Sequence, residues 1–288
     1  MGRVKSATRN IAFGYIGQVA TMIMSFVLRK IFIMHLSETL LGINSTYTNI
    51  LSILNMAELG IGTALNFSLY GPVSRGEKEK IKSYMQMYRK AYYCIALVVA
   101  VMGTALAPFL KYLVKKPDGV LLRDLTLYYF IFLFNTVSSY FVAYKYSLVN
   151  AEQKNYVQTN IITITKVITV FFQIIVIIVT RNFYLFLITD AVIQLLQKIF
   201  VSRYLNKMYP YLMEKDITPL SKEESDTVWK KTKALVFHKV GDVSRLQTDA
   251  LIISSFIEVK MAGFVDNYNM VISSVSNFVN IIFNSVIS

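Results

Sequence analysis

Two cations, Lys166 and Arg245, stand near the centres of long apolar runs, and a third, Arg29, lies about a turn and a half from the end of another. A charge in such surroundings costs free energy unless it pairs, meets water or binds a counter-ion. Cations facing a cavity would suit an anionic group such as phosphate, which a guanidinium grips through two hydrogen bonds. Arg29 could equally snorkel to the surface. The acids Glu58, Asp190, Asp242 and Asp249 are embedded in the same way. Asp242 and Asp249 stand three residues before and four after Arg245, so all three can share one helical face, as a neutralising cluster or as a binding site. Glu58 and Asp190 could carry a proton, or could pair with a lysine such as Lys166. Because acids and bases roughly balance, charge alone leaves the sign of a bound molecule open.

Uncharged polar residues follow helical periodicity. At about 100° per residue, Asn10, Gly14, Gln18, Thr21, Ser25 and Arg29 share one face. A second stripe runs through Asn44, Ser45, Thr48, Asn49, Ser52, Asn55, Gly62, Thr63 and Asn66, with Glu58 at its edge. A third joins Thr159, Thr163, Lys166, Thr169 and Gln173, and a fourth Asp266, Asn269, Ser273, Asn277, Asn280 and Asn284. One stripe could be ordinary hydrogen bonding between helices. Four together point to a polar cavity, with Arg29, Asn49, Asn55, Lys166, Arg245, Asn269 and Asn277 as candidate binding residues and Glu58, Asp190, Asp242 and Asp249 as candidates for proton or ion coupling.

The elements that must position these groups follow from composition. Of 288 residues, 55% are hydrophobic and 16% charged, where a soluble domain carries about 25% charged. Apolar runs of about 20 residues, enough to cross hydrocarbon as helices, predict an all-α polytopic transmembrane bundle. Eight spans are expected near 10–34, 44–70, 88–110, 124–148, 156–180, 183–206, 234–257 and 261–286. The first is too long and too polar for a cleaved signal peptide. With the N-terminus in the cytoplasm, 20 of the 30 Lys and Arg fall in inner segments, which fits the positive-inside rule. That placement accounts for the net charge of +13 without nucleic acid. Residues 1–206 would form a six-helix bundle, 207–233 a cytoplasmic connector containing Pro210, Pro219 and an acidic run, and 234–288 two helices of a second bundle. Ile81, Tyr84, Met85 and Tyr88 share one face of an inner segment, 72–93, which could lie along the membrane surface or run straight into the third span. Cys94, the lone cysteine, reads as a packed thiol.

Gly42, Tyr47 and Ser52 recur as Gly263, Tyr268 and Ser273, each 221 residues later. Each set opens an even-numbered span after an outer turn, as in the duplicated halves of transporters. A repeat of that length leaves the chain two helices into its second copy. Enzyme chemistry finds little support. His35 and His238 are too few and too far apart for a zinc site, and His238 beside Asp242 is a thin match to an acyltransferase. There is no Asp-x-Asp pair and no Gly-rich phosphate loop, so no metal or other cofactor is expected beyond H+ or Na+ coupling.

The stretch NMAELGIGTALNFSLYGPVSRGEKEKIKSYMQMYRKAYY (55–93) resembles the second span and following inner loop of polysaccharide biosynthesis proteins, the Wzx-type oligosaccharide-lipid flippases. RNIAFGYIGQ (9–18), LLGINSTYTNIL (40–51), TDALIISSFI (248–257) and GFVDNYNMVI (263–272) fit the same pattern. The resemblance implies the multidrug/oligosaccharidyl-lipid/polysaccharide (MOP) exporter superfamily, with a MATE-like architecture of 12 to 14 spans of which this chain would hold eight, as if truncated at its C-terminus. It implies alternating access in a bacterial plasma membrane. The cargo would be a polyprenyl-pyrophosphate-linked oligosaccharide such as a capsule, O-antigen or exopolysaccharide repeat unit. Partners would include membrane lipids, a glycan polymerase and glycosyltransferases. The rival expectations are a cation-coupled multidrug exporter of the same superfamily and a membrane acyl- or glycosyltransferase of glycan assembly.

Overall fold

The computed structural model describes the backbone of residues 2–287 except 116, 118 and 215, and the side chains outside 2–14, 56–57, 59–60, 231, 236–247, 250 and 277–287. Every regular element among the described residues is helical. In chain order they are α1 (Gly2–His35), α2 (Glu38–Leu54), α3 (Met56–Arg75), α4 (Lys78–Leu106), the single turn α5 (Leu110–Leu113), α6 (Leu122–Ala151), α7 (Asn155–Thr180), α8 (Phe183–Met208), α9 (Lys222–Ile252) and α10 (Val259–Ile287).

Local chemistry sets several boundaries. Ser37 accepts from the Leu40 amide at 3.2 Å, with Glu38 in the first turn of α2, so side-chain oxygen and helix dipole act together. Asn182 caps α8 through the Leu185 amide. α3 ends at Gly76, whose φ of 70° is the left-handed stop that glycine supplies without strain. At the start of α9, Ser221 Oγ accepts from the Glu224 amide while the Ser221 amide donates to Glu224 Oε2, both at 3.2 Å, a reciprocal capping box. The acidic run expected in a connector is therefore a helix N-terminus. α9 starts at Lys222, earlier than the expected 234, and the connector shortens accordingly.

Five helices among the described residues are long and apolar enough to cross a membrane: Tyr15–His35, Lys78–Leu113, Leu122–Ala151, Asn155–Thr180 and Phe183–Met208. The other three expected spans fall on the α2–α3 pair, α9 and α10. The second is not one helix. It breaks at Asn55, whose amide still bonds to Leu51 O while its Oδ1 accepts from the Tyr140 hydroxyl of α6. The surface helix considered for 72–93 is also absent. Lys78–Leu106 is continuous, and Ile81, Met85 and Tyr88 are core residues of its first turns. Cys94 is exposed on α4 rather than packed inside.

α1 packs on α7, α7 on α8, α8 on α6, α6 on α4, and α3 against both α4 and α6. α2 lies within this arrangement, with Thr39, Leu41, Ile43, Ser45, Thr46, Tyr47, Ile50 and Leu51 all buried. α9 packs along α3 and α2, and α10 packs on α2. The α2–α10 crossing is backbone against backbone. A Cβ on Gly42 would stand 1.9 Å from Val259 O, and one on Gly263 would stand 2.9 Å from Gly42 N.

The two ends of the bundle are tied differently. At the end carrying the α1–α2 turn, Lys115 N donates to Ser254 O and Val259 N to Lys115 O, and Lys260 pairs with Glu38 at 2.5 Å. At the connector end, Lys82 bridges Glu79 (2.7 Å) and Glu214 (2.8 Å), Ser83 donates to Thr218 O, and Lys80 pairs with Glu224 at 3.2 Å. The neighbouring Lys80 ammonium holds the Glu224 carboxyl below the usual carboxylate range.

Because the Gly42 contact meets rigid main chain, Gly42→Ala forces α2 and α10 apart. We expect a lower thermal unfolding midpoint in detergent, equivalent to a loss of about 1–3 kcal/mol. Gly71→Ala would meet only the mobile guanidinium of Arg75, at 3.3 Å, and should leave the midpoint unchanged or slightly raised.

Candidate functional site

Between α1, α2, α6, α7, α8 and α10 lie two adjoining cavities of about 240 and 260 Å³ that share Leu28, Asn44, Thr48, Lys166 and Phe186 as walls. The first is completed by Ser25, Arg29, Phe32, Leu41, Ser45, Asn49, Asp266 and Met270. The second adds Ile131, Phe132, Asn135, Gln173, Leu187 and Asp190. Amides and hydroxyls thus alternate with aromatic and aliphatic surface. That is the usual make-up of a small-molecule site, apolar walls with a few fixed polar groups.

Helical periodicity delivers these groups. Asn44, Ser45, Thr48 and Asn49 share one face of α2, and Thr48 and Asn49 are steadied by bonds to Asn44 O and Ser45 O, each 2.8 Å. Ser25 and Arg29 come one turn apart on α1. Phe32 closes the aromatic wall with Phe183 and Phe186 at ring separations of 5.8 and 5.4 Å.

The four charges lining the cavity are in different states. Arg29 Nη2 donates directly to Asp266 Oδ2, joining α1 to α10. Lys166 makes no ion pair with any described residue, yet it feels the attraction of Asp190 and the repulsion of Arg29. Asp190 instead accepts from Asn135 Nδ2 at 3.0 Å. Asn135 Oδ1 is buried without a hydrogen-bond partner among the described residues, an acceptor that a water molecule or a ligand hydroxyl would satisfy.

Of the candidates named from sequence, Arg29, Asn49, Lys166 and Asp190 come together here. Asn55 and Glu58 lie at the α2–α3 break, where Asn55 receives the Tyr140 hydroxyl and half-buried Glu58 sits near Tyr92 and Tyr140. Asn269 and Asp249 are exposed. The side chains of Arg245, Asp242, Asn277 and His238 lie outside the described residues.

The stripes are also used unequally. Thr21 turns back to Gly17 O and Gln18 O, and Thr159 and Thr163 pack against Gly17 where α1 crosses α7. Sequence reasoning placed Asn44 and Asp266 on polar stripes without naming them as binding candidates, and it missed Asn135 altogether. Asp266 was findable as the only acid on the α10 stripe, whereas Asn135 is an isolated polar residue in an aromatic span.

Two lysines near the inner ends of expected spans are structural. Lys198 is 8% exposed and donates to Asn135 O (2.8 Å) and Ser138 Oγ (2.7 Å). Lys145 donates to Ser202 Oγ (2.9 Å) and Asn206 Oδ1 (2.7 Å). Both clasp α6 to α8. Among the described residues no cluster of three or more His, Cys, Asp or Glu could hold a metal ion.

A hydrated cavity has a direct signature. In a Cys94→Ser background, Thr48→Cys should react with a charged, water-soluble thiol reagent, whereas Ile164→Cys, on an apolar surface 59% exposed, should not react in the membrane. Equal protection of both positions would mean that the cavity is dry.

No family model, curated protein or solved structure matches the chain.

Proposed function

We propose that the chain forms the first bundle and the opening helices of an alternating-access exporter. It would carry a polyprenyl-pyrophosphate-linked oligosaccharide from the inner to the outer leaflet of a bacterial plasma membrane. The observation that carries this reading is Lys166: a lysine without an ion-pair partner among the described residues, in the wall of a polar cavity within a membrane bundle. A pyrophosphate is the counter-charge it lacks. Sugar hydroxyls would exchange water for Asn44, Thr48, Asn49 and Asn135 and stack on Phe132 or Phe186, while the lipid tail stays in hydrocarbon.

On this proposal the α2–α3 pair, α9 and α10 are three further spans, and the basic connector end is cytoplasmic by the positive-inside rule. The Arg29–Asp266 and Glu38–Lys260 pairs and the Lys115 contacts then close the outer side. Transport would require α10 to part from α1 and α2, breaking those ties while α1, α7 and α8 move together. Glu58 has no basic partner among the described residues and sits at a helix break, a place where binding a proton could change helix geometry. It is the coupling group we favour, with Asp190 as the alternative.

Lys166→Ala in the complete exporter should weaken pyrophosphate binding by the value of one charge-assisted hydrogen bond, about 1.5–3 kcal/mol, or roughly 10- to 100-fold. Lipid-linked glycan should then accumulate on the cytoplasmic face, with partial recovery in Lys166→Arg. Undiminished glycan export in Lys166→Ala would overturn the cationic-site assignment. If the same variant instead lost resistance to cationic drugs, the cargo assignment would pass to the multidrug reading.

A further inference from the structure

A separate cavity, of about 530 Å³, opens at the connector end between α4, α6, α8 and the connector residues Leu212, Met213, Glu214 and Ile217. It shares no lining residue with the cavities around Lys166. Among the described residues three cations line it, and one of them is neutralised by carboxylates. Lys82 lies within ion-pair distance of both Glu79 and Glu214. Arg89 donates Nε to the Tyr93 hydroxyl at 3.2 Å and lies over that ring at 5.4 Å, with no carboxylate in ion-pair reach among the described residues. Lys145 is held by Ser202 and Asn206, all neutral acceptors.

Arg89 and Lys145 are close enough to repel each other. Two fixed like charges facing one crevice raise its energy until an anion enters, and neutral hydrogen bonds hold them aimed without discharging them.

The position of the crevice narrows the anion. Arg89 lies about 25 Å along α4 from Leu106, at 1.5 Å per residue, which is close to the thickness of a hydrocarbon core. Between them α4 exposes Leu97, Val98, Val101 and Met102. At the rim, Tyr93 and Phe141 are 40% and 48% exposed and in edge contact at 5.4 Å, the aromatic border expected at headgroup level. The crevice therefore faces the lipid at the depth of the headgroups.

We propose that this crevice is a binding site for an anionic phosphate ester, presented by a lipid headgroup entering sideways from the leaflet at the connector end and gripped by Arg89 and Lys145. Arg89 supplies a planar fork of donors and Lys145 a point charge on the opposite wall. The Lys82–Glu214 pair sets the floor and ties the connector to the site, so occupancy would be felt at the start of α9.

Native mass spectrometry of the full chain, released from nanodiscs of phosphatidylglycerol and phosphatidylcholine in equal amounts, tests this. Wild type should retain phosphatidylglycerol in preference to phosphatidylcholine. Arg89→Gln with Lys145→Gln should reduce that retention at least about tenfold, while exposed Lys90→Gln should not change it. Should the double variant fail to fold, Arg89→Gln alone carries the test, because its side chain is exposed. Glycerol phosphate and inorganic phosphate at millimolar concentration distinguish the sources. Failure of either to displace the lipid supports the lateral lipid site, and full displacement assigns the site to a soluble phosphate and overturns the lipid source. Equal retention of the two lipids by wild type, or unchanged retention in Arg89→Gln, overturns the proposal altogether.

Discussion

The structure depends on how it houses α2. In an apolar surrounding every polar group must be paired, hydrated or kept away from lipid, and α2 carries Thr39, Asn44, Ser45, Thr46, Thr48 and Asn49 within three turns. No lipid-facing helix could bear that load. The bundle meets the constraint by wrapping α2 with α1, α4, α6, α9 and α10, turning part of its polar face into cavity wall and packing the remainder. Tyr47 marks the packed side. Its ring meets Tyr129 and Phe132 at 5.5 and 5.8 Å, and its hydroxyl donates to Leu125 O at 2.9 Å, so one fully buried side chain anchors α2 to α6 through both faces and tip.

The embedded cations show how the same charge serves different ends according to its partners. Among the described residues Lys198 and Lys145 meet only neutral acceptors on neighbouring helices, and they join α6 to α8. Arg29 meets a carboxylate and links α1 to a helix late in the sequence. Lys82 meets two carboxylates and holds the connector. Lys166 meets none within ion-pair distance among the described residues. Such a residue is tolerable only where water or a ligand reaches it, as the cavity around it allows.

Much of this was legible in the sequence because its signals are long. Apolar runs gave an all-α membrane bundle, and the stripe periodicity put Ser25 and Arg29 with Asn44–Asn49 and Lys166 on faces that do converge. What escaped detection depended on distant contacts. Asn55 looks like any stripe member until Tyr140 arrives from α6 to occupy it. Lys198 looks like a charge near the inner end of an expected span, and only the fold shows its ammonium bonded to Asn135 O and Ser138 Oγ between α6 and α8. The acidic run at 223–226 looks like a linker because polar residues dominate it, whereas Ser221 and Glu224 mark a helix start once their spacing of three is read as a capping box. Hydropathy recognises α2 poorly for the same reason that α2 matters: its polar residues face other helices.

The short internal repeat gains physical content from this arrangement. Of the three positions that recur 221 residues apart, Gly42 and Gly263 touch main chain to main chain. A glycine at both positions is what such a contact requires, because a Cβ on either side would collide with backbone. Away from the crossing the equivalence lapses. Ser52 and Ser273 both turn back onto their own helices, at 2.8 and 3.2 Å, so nothing beyond the helix itself is needed to explain them. Tyr47 is fully buried against α6, whereas Tyr268 is 72% exposed. The identities therefore coincide with a mutual contact at the glycines and with different surroundings at the tyrosines. The crossing accounts for glycine at both positions, whereas packing against α6 accounts for the tyrosine at position 47 alone.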